Sequence, residues 1–218
     1  MNAMILAAGR GERLRPVTDS VPKAMVEVRG ERLVDRHLRM LAAAGCQTIV
    51  INLGWLGEYI VEHVGSGEQF GLSVVYSLEY DEVLETGGGI CRALPVLGDA
   101  PFWVVNADIF TDFSIPDHGL SSDVDAELVL VDTPPHKRIG DFDVIDNLVR
   151  NGPERQLTYG GIARYRPSFF AEAGEGRFSV VPLLRAAADA GRLGGTHYRG
   201  DWHDVGSPDP VSYTHLTL

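Results

Sequence analysis

Apolar residues fall along this chain in two alternating rhythms. Mostly apolar stretches at Ala3 to Ala8, Gln47 to Leu53 ("QTIVINL"), Leu72 to Ser77 and Pro101 to Asp108 ("PFWVVNAD") have the length of buried strands. Between them the helical spacing returns. Leu33 to Ala44 is an amphipathic helix closed by Gly45, Leu56 to Val64 is a second, and Gly87 to Leu94 is a third that opens after a glycine cluster. Alternation with short connections predicts an α/β fold in which helices cover both faces of a mostly parallel sheet. Ligands of such sheets sit at the carboxyl ends of the strands.

Past Asp108 the rhythm changes. Ala126 to Pro134 ("AELVLVDTP") is another strand, but "GDFDVI" and "LTYGGIARY" are strands joined by turns rather than by helices, which makes the sheet mixed. Phe178 to Ala190 is helical, and Thr196 to Gly206 ("THYRGDWHDVG") reads as a strand with a tight end. No internal repeat or low-complexity linker divides the sequence, so residues 1–207 are expected to form one domain. Residues 208–218 are irregular. The stretch "SPDPVSYTHLTL" is either a frayed terminus or a place where foreign residues stand for a missing natural end, and no role falls to Tyr213 or His215.

Composition narrows the class. The 218 residues are 44% hydrophobic and 22% charged, which argues against a disordered or fibrous chain. No run reaches the roughly 18 apolar residues of a membrane span, and the N-terminus lacks the pattern of a secretory signal, so a cytoplasmic protein is expected. Cys46 and Cys91 each stand alone and read as core residues. Thirty acidic residues against nineteen basic ones, a formal charge of -11, argue against a nucleic-acid surface.

The first loop runs against that charge. "LAAGRGERLRP", residues 6 to 16, carries two glycines and three arginines directly after a buried strand, the make-up of a loop whose backbone approaches an anion closely. Between residues 10 and 23 four cations (Arg10, Arg13, Arg15, Lys23) stand against Glu12 and Asp19, a local +2. Neither standard phosphate motif fits, because Leu14 stands where a dinucleotide fingerprint has its third glycine and no Gly-Lys-Ser/Thr is present. Lys23 is informative: the chain uses lysine twice and arginine seventeen times. A compact ammonium suits a phosphate oxygen where a planar guanidinium needs more room.

Three further features carry chemistry. Asp108, and Asp204 in "DWHDVG", each follow apolar or aromatic residues and would suit Mg²⁺ as two hard oxygen ligands at one rim of the sheet. "LETGGGI", Leu84 to Ile90, offers backbone N–H groups to a base edge or a charge. Taken singly, either aspartate is equally well a turn or cap residue, and the glycines a flexible turn. His63, His118, His136 and His197 share no motif and read as surface or packing residues.

Taken in order, "LAAGRGERLRP", "PKAM", "ETGGG", "NAD" and "WHDVG" resemble the sugar-1-phosphate nucleotidyltransferases, over about residues 3 to 207. The resemblance implies a Rossmann-like three-layer αβα sandwich. It implies that Ala8, Gly9, Gly11, Glu12 and Arg13 form the loop over the nucleotide phosphates, with Arg13 and Lys23 as the catalytic cations. Asp108 and Asp204 would be the Mg²⁺ ligands, while Glu85, Thr86, Gly87, Gly88 and Asn106 would lie around the nucleoside. Asp141 and Gly161 match positions that face the sugar. Within the family, the short length, "ETGGGI" and "HYRGDWHDVG" look most like the members that join UTP to N-acetylmuramate 1-phosphate in peptidoglycan recycling. Two departures stand out: Ala107 precedes Asp108 where relatives usually have glycine, and no helix follows "DVG". The alternatives are a different sugar phosphate or base, or a non-catalytic nucleotide-sensing domain on the same fold.

Overall fold

The computed structural model describes residues 1–206 apart from His136 and Glu154. The irregular segment 208–218 and His136 therefore lie outside the described residues. The first half alternates as its hydrophobic pattern requires. Strand β1 (Asn2–Leu6) leads through a long loop to a hairpin of β2 (Glu27–Val28) and β3 (Glu31–Arg32), followed by α1 (Leu33–Ala43), β4 (Thr48–Leu53), α2 (Gly57–Val64), β5 (Ser73–Leu78) and α3 (Glu85–Leu97). Next come β6 (Phe102–Asn106), β7 (Ile109–Thr111), β8 (Ala126–Asp132), β9 (Asp143–Ile145), β10 (Leu148–Arg150) and β11 (Leu157–Tyr165). The remainder is α4 (Val181–Asp189), β12 (Leu193–His197) and β13 (Trp202–Asp204).

The main sheet has the order β5-β4-β1-β6-β11-β8-β12-β10-β9. Its pairings leave β10 and β11 antiparallel to the other strands, so the sheet is mixed and mostly parallel, as expected. Alternate residues sort to opposite faces, as the two-residue period of a strand demands. Ala3, Ile5, Ile49 and Ile51 join Val34, Leu38 and Leu41 of α1 and Ile60 and Val64 of α2. Met4 and Val50 join Ile90, Ala93 and Leu97 of α3 and Leu184 and Ala188 of α4 on the other side. These two cores join the sheet to the outer layers of the three-layer sandwich. Gly45 ends α1 with φ 77°, the left-handed geometry that a helix C-terminus favours.

Several element boundaries differ from the sequence expectation. Helix α3 begins at Glu85 and takes the glycine cluster into its own first turns, instead of opening at Gly87. Helix α4 is shorter than Phe178 to Ala190 and starts next to Pro182, whose fixed φ suits a first turn. The stretch Thr196 to Gly206 is split between β12, in the main sheet, and β13, which pairs with β7 outside it. Pro101 to Asp108 likewise stops at Asn106, and the chain turns at Ala107 and Asp108 before β7. That turn is what moves Asp108 off the sheet and towards the first loop.

Candidate active site

The first loop folds back on itself as three single turns, Glu12–Leu14, Val17–Asp19 and Lys23–Met25. Gly11 adopts φ 68°, which favours glycine, and its carbonyl accepts bonds from Leu14 N (2.9 Å) and Thr18 Oγ1 (2.8 Å). Leu14, in the place of a third glycine, is 2% exposed and packs with Val26, Leu33, Phe110 and Val205. It anchors the loop from below. Trp55 braces the outer side, donating from Nε1 to Thr18 O at 2.9 Å while the Arg10 guanidinium lies 4.3 Å from its ring centre.

The β7–β13 pair brings the two distant aspartates together. Asp204 lies opposite Ile109, and Val205 N donates to the Asp108 carbonyl at 2.9 Å. The Lys23 ammonium is ion-paired with the Asp108 carboxylate, and the Arg13 guanidinium approaches Asp204 at 3.9 Å. Gly206 closes this cluster: a Cβ there would meet Lys23 Nζ at 2.5 Å and Asp108 Oδ2 at 2.8 Å. Among the described residues no group of three or more His, Cys, Asp or Glu forms a cation cage. The donor set nevertheless fits Mg²⁺, an ion usually held by one or two carboxylates with substrate phosphates completing its shell. The Asp108 carboxylate is already ion-paired with Lys23, so a bound Mg²⁺ would share it with that ammonium.

Beside the cluster, at the switch point where β4 and β6 flank β1, a cavity of about 190 Å³ opens beyond the strand ends. It is lined by Ala8, Gly9, Lys23, Glu85, Thr86, Asn106 and Asp108, all singled out in the sequence, and by Leu6, Ala7, Asn52, Glu79, Val83 and Ala107. Ala107 is buried, and its N–H donates to Leu6 O at 3.1 Å, tying β6 to β1 at this rim. Gly11, Glu12 and Arg13 lie in the loop beyond the cavity lining.

The glycine cluster plays a different part from the one its sequence suggests. Gly87 N and Gly88 N both donate to the Phe178 carbonyl, at 2.9 and 3.2 Å, so these donors are engaged within the protein. Neither residue lines the cavity. A Cβ on Gly87 would overlap the Phe178 ring, and one on Gly88 would overlap the Gly176 carbonyl. These glycines are small so that the segment 176–178 can lie against α3.

Gly161, with φ 76°, sits at an irregularity in β11, and a Cβ there would stand 3.1 Å from Asn106. The Asp141 side chain accepts from Tyr159 N at 3.1 Å and pairs with Lys137 Nζ at 2.7 Å. Neither residue is part of the cavity lining. The polar residues of the cavity lining that sequence reasoning missed are Asn52, near the end of β4, and Glu79, directly after β5. Their signal was a polar residue closing an apolar run.

Among the histidines, His63 pairs with Asp35 at 2.7 Å and His197 with Asp132 at 2.8 Å. His37 on α1 is fully buried beneath the turn that carries Asp108. Its ring nitrogens face the Ala107 and Ile109 backbone without meeting hydrogen-bond geometry. Burial lowers its pKa to about 4, outweighing the attraction of the Asp108 charge. Cys46 is buried and its thiol pushed up to about 11 by desolvation; Cys91 is half-buried and also raised.

A loop rich in glycine and arginine, paired carboxylates and a cavity at the sheet switch point together make a candidate anion site. A family model described as nucleotidyl transferase matches residues 2–146. The chain belongs to that family. Its members transfer nucleotidyl groups to sugar 1-phosphates. An N-acetylmuramate alpha-1-phosphate uridylyltransferase from Neisseria meningitidis serogroup B is 43% identical, across 95% of this chain and 94% of the relative. The protein of the same name from Caulobacter vibrioides is 36% identical, across 94% and 92%. A Bacillus anthracis protein assigned as a glucose-1-phosphate thymidylyltransferase superposes with a TM-score of 0.83 at 20% identity, covering 98% of this chain and 93% of its own. That likeness shows the Rossmann-like fold of the nucleotidyltransferases. No helix among the described residues is long and apolar enough to cross a membrane.

Proposed function

We propose that this nucleotidyltransferase moves the uridylyl group of UTP to N-acetylmuramate 1-phosphate, giving UDP-N-acetylmuramate and pyrophosphate, as a cytoplasmic enzyme of peptidoglycan recycling. The observation that carries the reading is the 43% identity, over nearly the whole of both chains, to a relative named for that reaction. A sugar-phosphate oxygen attacks the α-phosphorus of UTP, forming the new P–O bond as the bond to the departing pyrophosphate breaks. Both partners are anions, so the work of the site is positioning and charge.

Each residue then has a task. The Gly9 backbone lets the triphosphate come close, and Gly11 with its bonded Thr18 fixes the curve of the loop. Lys23, held by Asp108, sets a positive point charge at the phosphates, and Arg13 adds a second cation from the loop. Asp108 and Asp204 would hold Mg²⁺, which when bound supplies further charge neutralisation of the triphosphate. Glu85, Thr86 and Asn106 take the nucleoside side of the cavity, while Asp141 and Gly161 face the sugar. The phosphate nucleophile is ionised at neutral pH, so the reaction calls for no general base.

The test is pyrophosphate release with Mg²⁺ over a grid of UTP, dTTP, GTP and CTP against N-acetylmuramate 1-phosphate and glucose 1-phosphate. Release confined to UTP with the muramate substrate is expected. Release with another pair would keep the mechanism and change the substrate. Asp108→Asn is expected to lower turnover by about a hundredfold or more. A nucleotide-sensing domain would show UTP binding and no turnover in the wild-type protein.

A further inference from the structure

Glu79, the residue after β5, is 2% exposed, and its carboxylate is satisfied by neutral donors. Asn52 Nδ2 donates to Oε1 at 2.9 Å, and the backbone N–H of Leu84 donates to Oε2 at 2.9 Å. Asn52, 3% exposed, in turn accepts from Ala7 N through Oδ1 at 2.7 Å. One unbroken run of hydrogen bonds therefore joins the start of α3, the end of β5, the end of β4 and the residue after β1. Ala7, Asn52 and Glu79 line the cavity, as do Glu85 and Thr86 directly beyond Leu84.

Two observations show how closely the structure is built around this bridge. Gly89 of α3 lies against it, and a Cβ there would meet Glu79 Oε1 at 2.9 Å and Asn52 Nδ2 at 3.1 Å. Glu85, next to the bonded Leu84, holds φ 60°, a strained conformation for a residue with a side chain.

We propose that Glu79 is a positioning residue for the nucleoside triphosphate: through Asn52 and Leu84 it sets the phosphate loop after β1 against the nucleoside-side start of α3. This rests on the reading of the cavity as the triphosphate site. The chemistry explains why the residue is glutamate. The Asn52 carbonyl is committed to Ala7 N, so its amide N–H needs an acceptor, while Leu84 N needs another. A carboxylate supplies an oxygen to each. A glutamine supplies one oxygen and turns an N–H₂ towards a donor.

The same logic supplies a compensating pair. In E79Q/N52D, the carboxylate introduced at position 52 accepts from both Ala7 N and the amide N–H₂ introduced at position 79. The amide oxygen at position 79 accepts from Leu84 N, so every group is again matched at the same total charge. UTP affinity by titration calorimetry, and KM with each substrate varied separately, are measured for wild type, E79Q, N52D and E79Q/N52D. Each single variant is expected to weaken UTP binding about tenfold or more, with the KM for the sugar phosphate within about twofold. The double variant is expected to return to within about threefold of wild type, a coupling that mere loss of packing would not produce.

Unchanged UTP affinity in folded E79Q, or a double variant no better than the singles, overturns the proposal. If E79Q does not fold, the double variant decides: wild-type UTP binding supports the bridge, and failure to fold overturns it. Wild-type protein that does not bind UTP at all refutes the substrate reading instead. The four proteins are then compared with whichever triphosphate of the grid the wild type turns over, and the same outcomes judge Glu79.

Discussion

Gly9 has no neighbour in the protein that requires it to be glycine. Nothing lies within 4 Å of a Cβ built there, and its φ is not left-handed. Gly11, two residues on, is different: it has φ 68° and would press a Cβ against Thr18 at 2.9 Å. Gly9→Ala should therefore leave the fold intact, or stabilise it by about 0.4–1 kcal/mol through the unfolded chain. On the proposed reading it should nevertheless weaken UTP binding about tenfold, since the added methyl would stand in the path assigned to the triphosphate. Melting and KM measured on the same preparation separate the two effects. A lowered Tm with unchanged KM would show that Gly9 serves the protein and not the ligand.

At the scale of elements, α3 is fastened from both sides at its first turns. Glu79 lies under Gly89, while Gly176 and Phe178 lie against Gly88 and Gly87. Gly88→Ala would drive a methyl into the Gly176 carbonyl, a backbone atom with little room to yield, and should destabilise the protein by about 1–3 kcal/mol in urea unfolding. Gly119→Ala, with nothing within 4 Å, is the matched substitution expected to be neutral. A neutral Gly88→Ala would mean that segment 176–178 moves away freely. The example also shows which elements a sequence reveals. Strands β1 and β4 and helices α1 and α2 are legible because their apolar spacing is local. The start of α3 is legible only to within two residues, because the glycines read as a turn that opens the helix at Gly87, and the groups that crowd Gly87 and Gly88 lie far along the chain in Phe178 and Gly176. Strands β7 and β13 are three residues each and exist through their mutual pairing. The site divides in the same way. The loop, Lys23 and the two aspartates announce themselves by charge, whereas Asn52 and Glu79 acquire meaning only when β4 and β5 end side by side.

For the whole molecule, His37 makes stability depend on pH. Its folded pKa is about 4 against an ordinary 6.5, so as pH falls below 6.5 the unfolded chain takes up a proton that the native protein refuses. Stability from this residue is complete above that range and is lost progressively as pH drops from 6.5 towards 4. The full loss is on the order of 3 kcal/mol. Urea unfolding of wild type and His37→Leu at about pH 7 and pH 5 should show the wild type losing roughly 2 kcal/mol more than the variant. Equal losses would place the acid sensitivity elsewhere, among the carboxylates of this acidic chain.

The position of β11 has a consequence for exchanging specificity between relatives. The stretch that matches the family model ends at residue 146, yet β11, residues 157–165, lies between β6 and β8 in the sheet. Gly161, at its irregular point, stands against Asn106. With Gly161 facing the sugar as proposed, sugar recognition is carried by a strand threaded through the middle of the molecule and not by an appended loop. A chimera that imports a new sugar preference then has to replace a central beam of the sheet, and the flanking strands β6 and β8 have to travel with it.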